Sequence, residues 1–135
     1  MKQFRGSRYY VTEEGEIFKY TPKYEYFRNG KLHDKKPERW YKMKPSLNNK
    51  GYMNLCLQCP SILTNNKKSF NIEQHRMVAE LYVDGWFEGA EVDHIDCNKQ
   101  NNHPSNLQWC TKEYNVIKGN NPTYPLFSKG CNTQQ

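Results

Sequence analysis

No part of the sequence has the roughly 18–20 consecutive apolar residues that a membrane-spanning helix needs. The sequence therefore excludes a membrane-spanning helix. Met1 to Arg5 is not followed by the apolar segment of a secretory signal, so we expect the protein in the cytoplasm, or in the nucleus of a host that has one. The cysteines number five, an odd count that does not fit a disulfide framework in a reducing compartment. Internal repeats and low-complexity segments are absent too, so repeat architectures are excluded.

Aliphatic residues are also scarce. Hydrophobic residues make up 36% of the chain and the mean hydropathy is -1.07. Aromatic residues, in contrast, reach 14% and include ten tyrosines, which argues against disorder. The 135 residues fit one domain, or one small domain with an appended arm. We therefore expect a small core that is built largely from aromatic side chains.

Positive charge is concentrated in the first half of the chain. The formal net charge is +6, and residues 1–70 carry 15 basic and 6 acidic side chains. Residues 71–135 carry 5 basic and 8 acidic side chains. This asymmetry indicates a surface that binds a polyanion, although a solvated basic face fits the charge alone equally well.

Strands are predicted in the first 72 residues, where aromatic and β-branched residues alternate, and together they favour a small, mostly antiparallel sheet. Gly15 can form the turn of a β-hairpin between residues 8–11 and 17–20. Residues 21–38 are predicted as a long loop with room for a second hairpin at Asn29-Gly30. Further strands are expected at about 39–43, 52–57, 62–63 and 70–72.

The pattern changes period after residue 72. Apolar residues at helical spacing predict a helix over 73–83, and short strands are expected at 92–94 and 107–110, on either side of an Asn-rich loop. Thr111 is a good N-cap and Gly119 a good C-terminal residue for a helix over 112–118. The predicted fold class is therefore α+β, with an antiparallel β-region followed by a strand, loop, strand and helix.

Chemically useful side chains gather in this second part. Asp93 and His94 lie on the first short strand, Asn106 precedes the second, and Asn115 lies one turn into the last helix. A neutral imidazole can take a proton from water near neutral pH. Carboxylate and carboxamide oxygens are hard ligands that suit Mg²⁺, which can then polarise a phosphate.

The run Val92-Asp93-His94-Ile95-Asp96, with Asn106-Leu107-Gln108-Trp109-Cys110-Thr111 and Asn115, resembles the HNH (ββα-metal) endonucleases of the phage and intron-encoded homing type. The upstream His75-Arg76-Met77-Val78-Ala79 is similar to the helix that precedes the motif in that subfamily. The resemblance covers about residues 8–120 and is strongest over 75–115. It implies a ββα-metal nuclease module.

The resemblance assigns the site residues. His94 matches the general base, Asp93 and Asn115 match the metal ligands, and Asn106 matches the Asn that braces the loop and helps to orient the base. The implied cofactor is Mg²⁺ or Mn²⁺ and the implied partner is double-stranded DNA, cut by hydrolysis at phosphorus. A monomer would nick and a dimer could cut both strands, and the sequence does not decide between them. A phage origin, also implied, would place the protein in the host cytoplasm.

The chain then divides into a basic, β-rich DNA-binding region (1–72), a helix with the HNH module (73–118) and a short polar tail (119–135) that we expect to be partly disordered. Strands and turns can enter a major groove, with Lys on phosphates and Asn on base edges. The candidate DNA contacts are Lys42, Lys44, Asn48, Asn49, Lys50, Lys67, Lys68 and Arg76. Arg76 could instead pair with Glu73 or Glu80.

Several other polar residues have two interpretations. His75 either braces the core or the site loop, or contacts a phosphate. Asp96 is expected to cap the loop rather than bind a second metal, and turn hydrogen bonds are expected from Asn98, Asn101 and Asn102. His103 is expected to have no chemical role.

The cysteines offer one Cys-x-x-Cys pair, Cys56 and Cys59, whereas the structural zinc site of some HNH proteins uses two such pairs. Cys97 and Cys110 would have to supply the other ligands, so we expect no structural zinc. Two alternatives to the nuclease hypothesis stay open. One is an inactive, HNH-derived DNA-binding protein, and the other is a zinc-stabilised interaction module.

Overall fold

The computed structural model describes residues 1–58 and 69–120. The strands before the first helix are β1 (Lys2–Gln3), β2 (Tyr9–Val11), β3 (Ile17–Thr21), β4 (Tyr24–Arg28), β5 (Lys31–Lys36), β6 (Arg39–Lys42), β7 (Ser46–Leu47), β8 (Met53–Leu57) and β9 (Phe70–Glu73). The elements that follow are α1 (Gln74–Tyr82), β10 (Glu91–His94), a 3₁₀ turn (Pro104–Asn106), β11 (Leu107–Cys110) and α2 (Lys112–Asn120). The α+β class is confirmed. The strand expected at 62–63 and the tail from residue 121 lie outside the described residues.

The β-rich region is divided more finely than expected. Among the described residues before α1, the strands form three antiparallel sheets, ordered β1-β2-β3-β6, β4-β5 and β7-β8-β9, so the expectation of one sheet is wrong. Pro45 separates β6 from β7 and has no N–H with which to continue a ladder. The β4–β5 hairpin is exposed along both strands, so neither of its faces is buried against the other sheets.

Both predicted hairpins are present. In the β2–β3 turn, Thr12 Oγ1 accepts the backbone N–H of Glu16 at 3.0 Å, and Gly15 takes a left-handed φ of +88°. In the β4–β5 turn, Asn29 and Gly30 have φ values of 53° and 76°, the geometry of a two-residue turn that matches strand twist. In each case a residue tolerant of positive φ stands where the turn requires it.

The core lies between the two larger sheets, α1 and the β10–β11 pair. Helix α1 buries His75, Met77, Val78 and Ala79. The core side chains, as expected few in number, are Phe4, Tyr9, Val11, Ile17, Leu55, Leu57, Ile72, Met77, Val78, Ala79 and Leu107. Two of these eleven are aromatic, so the expectation of a core built largely from aromatic side chains is wrong, because most of the aromatic side chains lie at the edge of the core or on the surface. Neither helix in the described ranges is long and apolar enough to cross a membrane.

The last elements follow the predicted order of strand, loop, strand and helix. Strands β10 and β11 pair antiparallel, with His94 opposite Leu107. Thr111 caps α2, because its Oγ1 accepts the Tyr114 N–H at 3.0 Å. The helix runs to Asn120, so the expectation that it ends at residue 118 is wrong. Gly119 is not among the glycines with positive φ, and it continues the last turn instead of ending it.

Candidate active site

A cleft of about 440 Å³ lies between β10, its following loop and α2. We call it the β10 cleft, and its lining includes Tyr52, Glu91, Asp93, His94, Lys99, Asn115 and Lys118. The structure therefore brings together three of the residues singled out by the sequence, namely Asp93, His94 and Asn115. Asp93 and His94 are both only 5% exposed, so solvent screens the electrostatic interactions of these side chains weakly.

His94 is held by an amide. Its Nε2 lies 2.8 Å from Oδ1 of the buried Asn102. Because a carboxamide oxygen only accepts hydrogen bonds, Nε2 carries the proton and Nδ1 keeps its lone pair. Burial lowers the pKa of His94, and the bond to Asn102 opposes that shift. The imidazole is therefore neutral at neutral pH, as a proton acceptor must be.

Two aromatic rings fix the plane of this imidazole. Tyr52 stacks on His94 with ring centroids 5.9 Å apart, and His75 meets it edge-on at 4.8 Å. Burial lowers the pKa of His75 to about 3, so His75 adds no positive charge beside His94. Because His75 is 4% exposed, its position favours bracing over phosphate contact.

Asn106 ties the loop together and does not touch the imidazole. Its Nδ2 donates to Asp96 Oδ1 and to the Asn101 carbonyl, both at 2.9 Å. Its Oδ1 accepts the Asp96 N–H at 3.1 Å. Asp96 and Asn106 together hold the loop that follows His94. Asn106 therefore influences the position of His94 indirectly, through the backbone of this loop.

Asn102 was missed by the sequence interpretation, which treated the Asn cluster as turn residues. Asn98 and Asn101 do make such turn bonds. Asn102 is different because its side chain is directed inward to His94. The sequence shows that the loop is rich in Asn, but it does not show which Asn side chain faces inward.

Asp93 is paired with a lysine that the sequence interpretation also missed. Lys118 Nζ donates to Asp93 Oδ2 at 2.7 Å and to the carbonyls of His94 and Ile95 at 3.2 and 3.3 Å. Lys118 is 3% exposed, so this is a buried ion pair. It lies three residues after Asn115, on the same side of α2, and that spacing was the signal that could have found it.

Oxygen donors remain for a metal ion. Gln108 Nε2 also donates to Asp93 Oδ2, at 2.8 Å, so both donors reach one oxygen and Oδ1 can still accept a ligand. Asn115 donates through Nδ2 to Glu91 Oε1 at 3.1 Å, which leaves its carbonyl oxygen for a cation. Hard oxygen ligands of this kind fit Mg²⁺, which keeps several waters.

The His, Cys, Asp and Glu side chains form no further cluster of metal ligands in the described part of the chain. In residues 1–58 and 69–120, no group of three or more is arranged to hold a metal. Cys56 is exposed on β8 and Cys110 is buried at the end of β11, while Cys59 lies outside the described residues. The expectation of no structural zinc stays a prediction.

A neighbouring groove of about 530 Å³ shares Glu91 and Val92 with the β10 cleft. It collects four candidate DNA contacts, which are Asn48, Asn49, Lys50 and Arg76. Two of these also have structural bonds. Asn48 Oδ1 accepts the Lys50 N–H at 2.9 Å, and Arg76 Nε donates to Glu73 at 3.0 Å.

The other candidate contacts lie apart from this groove. Lys42, on β6, forms an exposed ion pair with Glu16, the residue before β3, and Lys44 is exposed in the segment between β6 and β7. Lys67 and Lys68 lie outside the described residues.

Comparison with known proteins supports the resemblance of this segment to the HNH endonucleases. Residues 74–117 match the family model described as HNH endonuclease. An uncharacterised HNH endonuclease of Acanthamoeba polyphaga mimivirus is 37% identical over 90 residues, which are 67% of this chain and 25% of that protein. The DNA endonuclease I-HmuI of Bacillus phage SP01 is 47% identical over 49 residues, 36% of this chain and 27% of that protein.

A solved structure extends the similarity to the fold. The structure titled DNA binding and cleavage by the HNH homing endonuclease I-HmuI superposes with a TM-score of 0.57 at 28% identity. The match covers 84% of this chain and 51% of that one. The chain spans about a quarter of the length of the two curated relatives.

Proposed function

We propose that this chain, whose residues 74–117 match the HNH endonuclease family model, is a metal-dependent DNA endonuclease with His94 as its general base. One observation carries the proposal. The Nε2 of His94 is bonded to Asn102 at 2.8 Å, so that Nδ1 is unprotonated in a cleft that also contains Asp93 and Asn115.

The chemistry is hydrolysis at phosphorus. His94 Nδ1 takes a proton from water, the water oxygen forms a bond to phosphorus, and the bond to the 3′ oxygen breaks. The departing 3′ oxygen takes a proton from solvent, and His94 later releases its own proton to solvent, so the products carry a 5′ phosphate and a 3′ hydroxyl. Asp93 and Asn115 would hold one divalent cation, Mg²⁺ or Mn²⁺, which supplies Lewis-acid stabilisation of the phosphate and its leaving oxygen. Asn106 keeps the loop in the shape that places His94.

Double-stranded DNA is the proposed substrate. The basic region 1–72 would bind its backbone, and the segment from residue 73 to the end of α2 at Asn120 would cut it. The groove with Asn48, Asn49, Lys50 and Arg76 supports this division because it adjoins the β10 cleft. Lys42, Lys44, Lys67 and Lys68 are proposed as further phosphate contacts. One cleft cuts one strand, so a monomer would nick and a dimer could break both strands.

A plasmid-nicking assay tests the proposal. Supercoiled plasmid is incubated with protein and Mg²⁺ or Mn²⁺, and the wild type is compared with His94→Ala. We expect the variant to lose about 10²–10⁴-fold in rate and to keep its affinity for DNA. His33→Ala is the matched control, since His33 lies on the exposed β5 strand, and it should cut normally.

Two results would contradict the proposal. If His94→Ala nicks at the wild-type rate, His94 is not the base. If the wild type binds DNA but does not nick it with either cation, the chain is a DNA-binding protein derived from the nuclease family.

A further inference from the structure

Three groups connect the β2–β3 turn to the imidazole of His94. Gln74, the first residue of α1, donates from Nε2 to the Gly15 carbonyl at 2.8 Å. Its Oε1 accepts Asn102 Nδ2 at 3.2 Å. Asn102 Oδ1 then receives the Nε2 proton of His94. We call Gly15, Gln74 and Asn102 the amide relay.

The direction of the relay follows from its first member. A backbone carbonyl can only accept, so Gln74 must turn its NH₂ group toward Gly15. Its carbonyl oxygen then faces Asn102, which must present its own NH₂ to Gln74 and its oxygen to His94. Because the amide oxygen of Asn102 faces Nε2 of His94, the imidazole must carry its proton on Nε2. One acceptor at the turn therefore sets two amide orientations and the tautomer of His94.

Gly15 also has a steric role. A Cβ atom built at Gly15 would lie 2.3 Å from the carbonyl oxygen of Asn102. The turn and the loop can therefore approach this closely only because residue 15 has no side chain. Gly15 has a φ of +88° as well, which favours glycine for a separate reason.

We propose that Gln74 and Gly15 are positioning residues for the general base and act on His94 through Asn102. This rests on the proposed function of His94 and adds to it. The tautomer that leaves Nδ1 available to water is set by a turn within the basic β-region. The nuclease module then depends on the β2–β3 hairpin for the orientation of its base.

The first test replaces Gln74 by Met, which keeps the side-chain length and removes both hydrogen bonds. Nitrogen NMR of the metal-free protein, labelled at its four histidines and assigned with His94→Gln, reports which ring nitrogen carries the proton. We expect Nε2–H in the wild type and a mixture of tautomers in Gln74→Met. We expect kcat to fall about 10–100-fold with KM little changed. Gln100→Met, an exposed change on the same loop, should alter neither.

The NMR result separates the two hypotheses because it needs no cleavage. If His94 keeps Nε2–H in Gln74→Met while wild-type protein cuts DNA, the relay is refuted and the proposed function stands. A shift of tautomer in a protein that does not cut would support the relay and refute the nuclease.

The second test is Gly15→Ala, paired with Gly85→Ala. Both glycines have positive φ, +88° and +98°, but a Cβ at Gly85 meets nothing within 4 Å. Backbone strain is therefore matched, and only Gly15→Ala pushes on Asn102. We expect Gly15→Ala to shift the His94 tautomer and to lower kcat, and Gly85→Ala to lower stability alone. Equal effects of the two substitutions on His94 would overturn the steric part of the proposal.

Discussion

Replacing Lys118 by Met is the perturbation that most directly tests the electrostatics of the site. Lys118 Nζ lies 2.7 Å from Asp93 Oδ2, and the two side chains are 3% and 5% exposed. Met is unbranched like Lys and one atom shorter, and it leaves the Asp93 carboxylate buried with one donor, Gln108. Breaking a buried ion pair from one side costs about 3–5 kcal/mol. We expect the free energy of unfolding to fall by about 3 kcal/mol, toward the lower end, since Gln108 remains.

Urea denaturation of metal-free protein measures this loss. For a domain of this size the expected shift of the midpoint is on the order of 1.5 M. Lys42→Met is the matched control, because the ion pair of Lys42 with Glu16 is exposed and should contribute less than about 1 kcal/mol. The double variant Asp93→Asn with Lys118→Met should recover much of the loss, since it removes the unpaired charge.

A divalent cation extends the test. With the ammonium gone, Asp93 should bind Mg²⁺ or Mn²⁺ more tightly, and a cation at 100 times its Kd adds about 2.7 kcal/mol of stability. The added cation should therefore stabilise Lys118→Met more than the wild type. The reasoning is refuted if the free energy of unfolding of Lys118→Met lies within about 0.5 kcal/mol of the wild-type value. It is also refuted if the cation stabilises both proteins equally.

Three further outcomes follow from the structure. Lys42→Gln with Lys44→Gln should weaken DNA binding and reduce the salt dependence by about 0.9 in slope for each phosphate that is no longer neutralised, as fluorescence anisotropy at several salt concentrations would show. Asp93→Ala and Asn115→Ala should abolish nicking and leave DNA affinity within a few-fold of the wild type in the same assay. The pKa of His75 is lowered by burial to about 3 in the folded protein. At a pH between this value and the ordinary histidine pKa, the unfolded chain therefore binds a proton that the folded chain does not. Stability should therefore fall as pH drops from about 6.5 toward 3, by up to about 1.4 kcal/mol per pH unit. Urea denaturation at pH 7 and pH 5 would show a smaller difference for His75→Phe.

Local signals predicted most of the elements that hold the site. Gly15 and the Asn29-Gly30 pair each marked a hairpin because few residues tolerate positive φ. Apolar spacing located α1, and Thr111 located the start of α2, since a side-chain oxygen is needed there. The resemblance to the HNH endonucleases assigned Asp93, His94 and Asn115 to one site, and the structure places these three residues in one cleft.

Long-range packing explains what the sequence did not predict. The division of the β-region into three sheets depends on which strands share an apolar face, and the β4–β5 strands have none that is buried. The bond between Asn102 and His94 depends on the fold of a loop with several Asn residues of equal propensity. Lys118 is polar and near the end of a helix, where a lysine is ordinarily solvated.

The buried lysine also bears on the choice of Asn at position 115. Burying a carboxylate as deeply as that of Asp93 is costly without a counter-charge, and Lys118 supplies one within the protein. The carboxylate is thereby fixed before any cation binds. A second ligand one helical turn from this ammonium is best neutral at every pH. The carboxamide of Asn115 meets that requirement, whereas an imidazole there would gain a proton below about pH 6.5 and repel both Lys118 and the metal. The neutral side chain of Asn115 is therefore compatible with the nearby ammonium group of Lys118. Asn115→His should make metal binding more sensitive to acid than it is in the wild type.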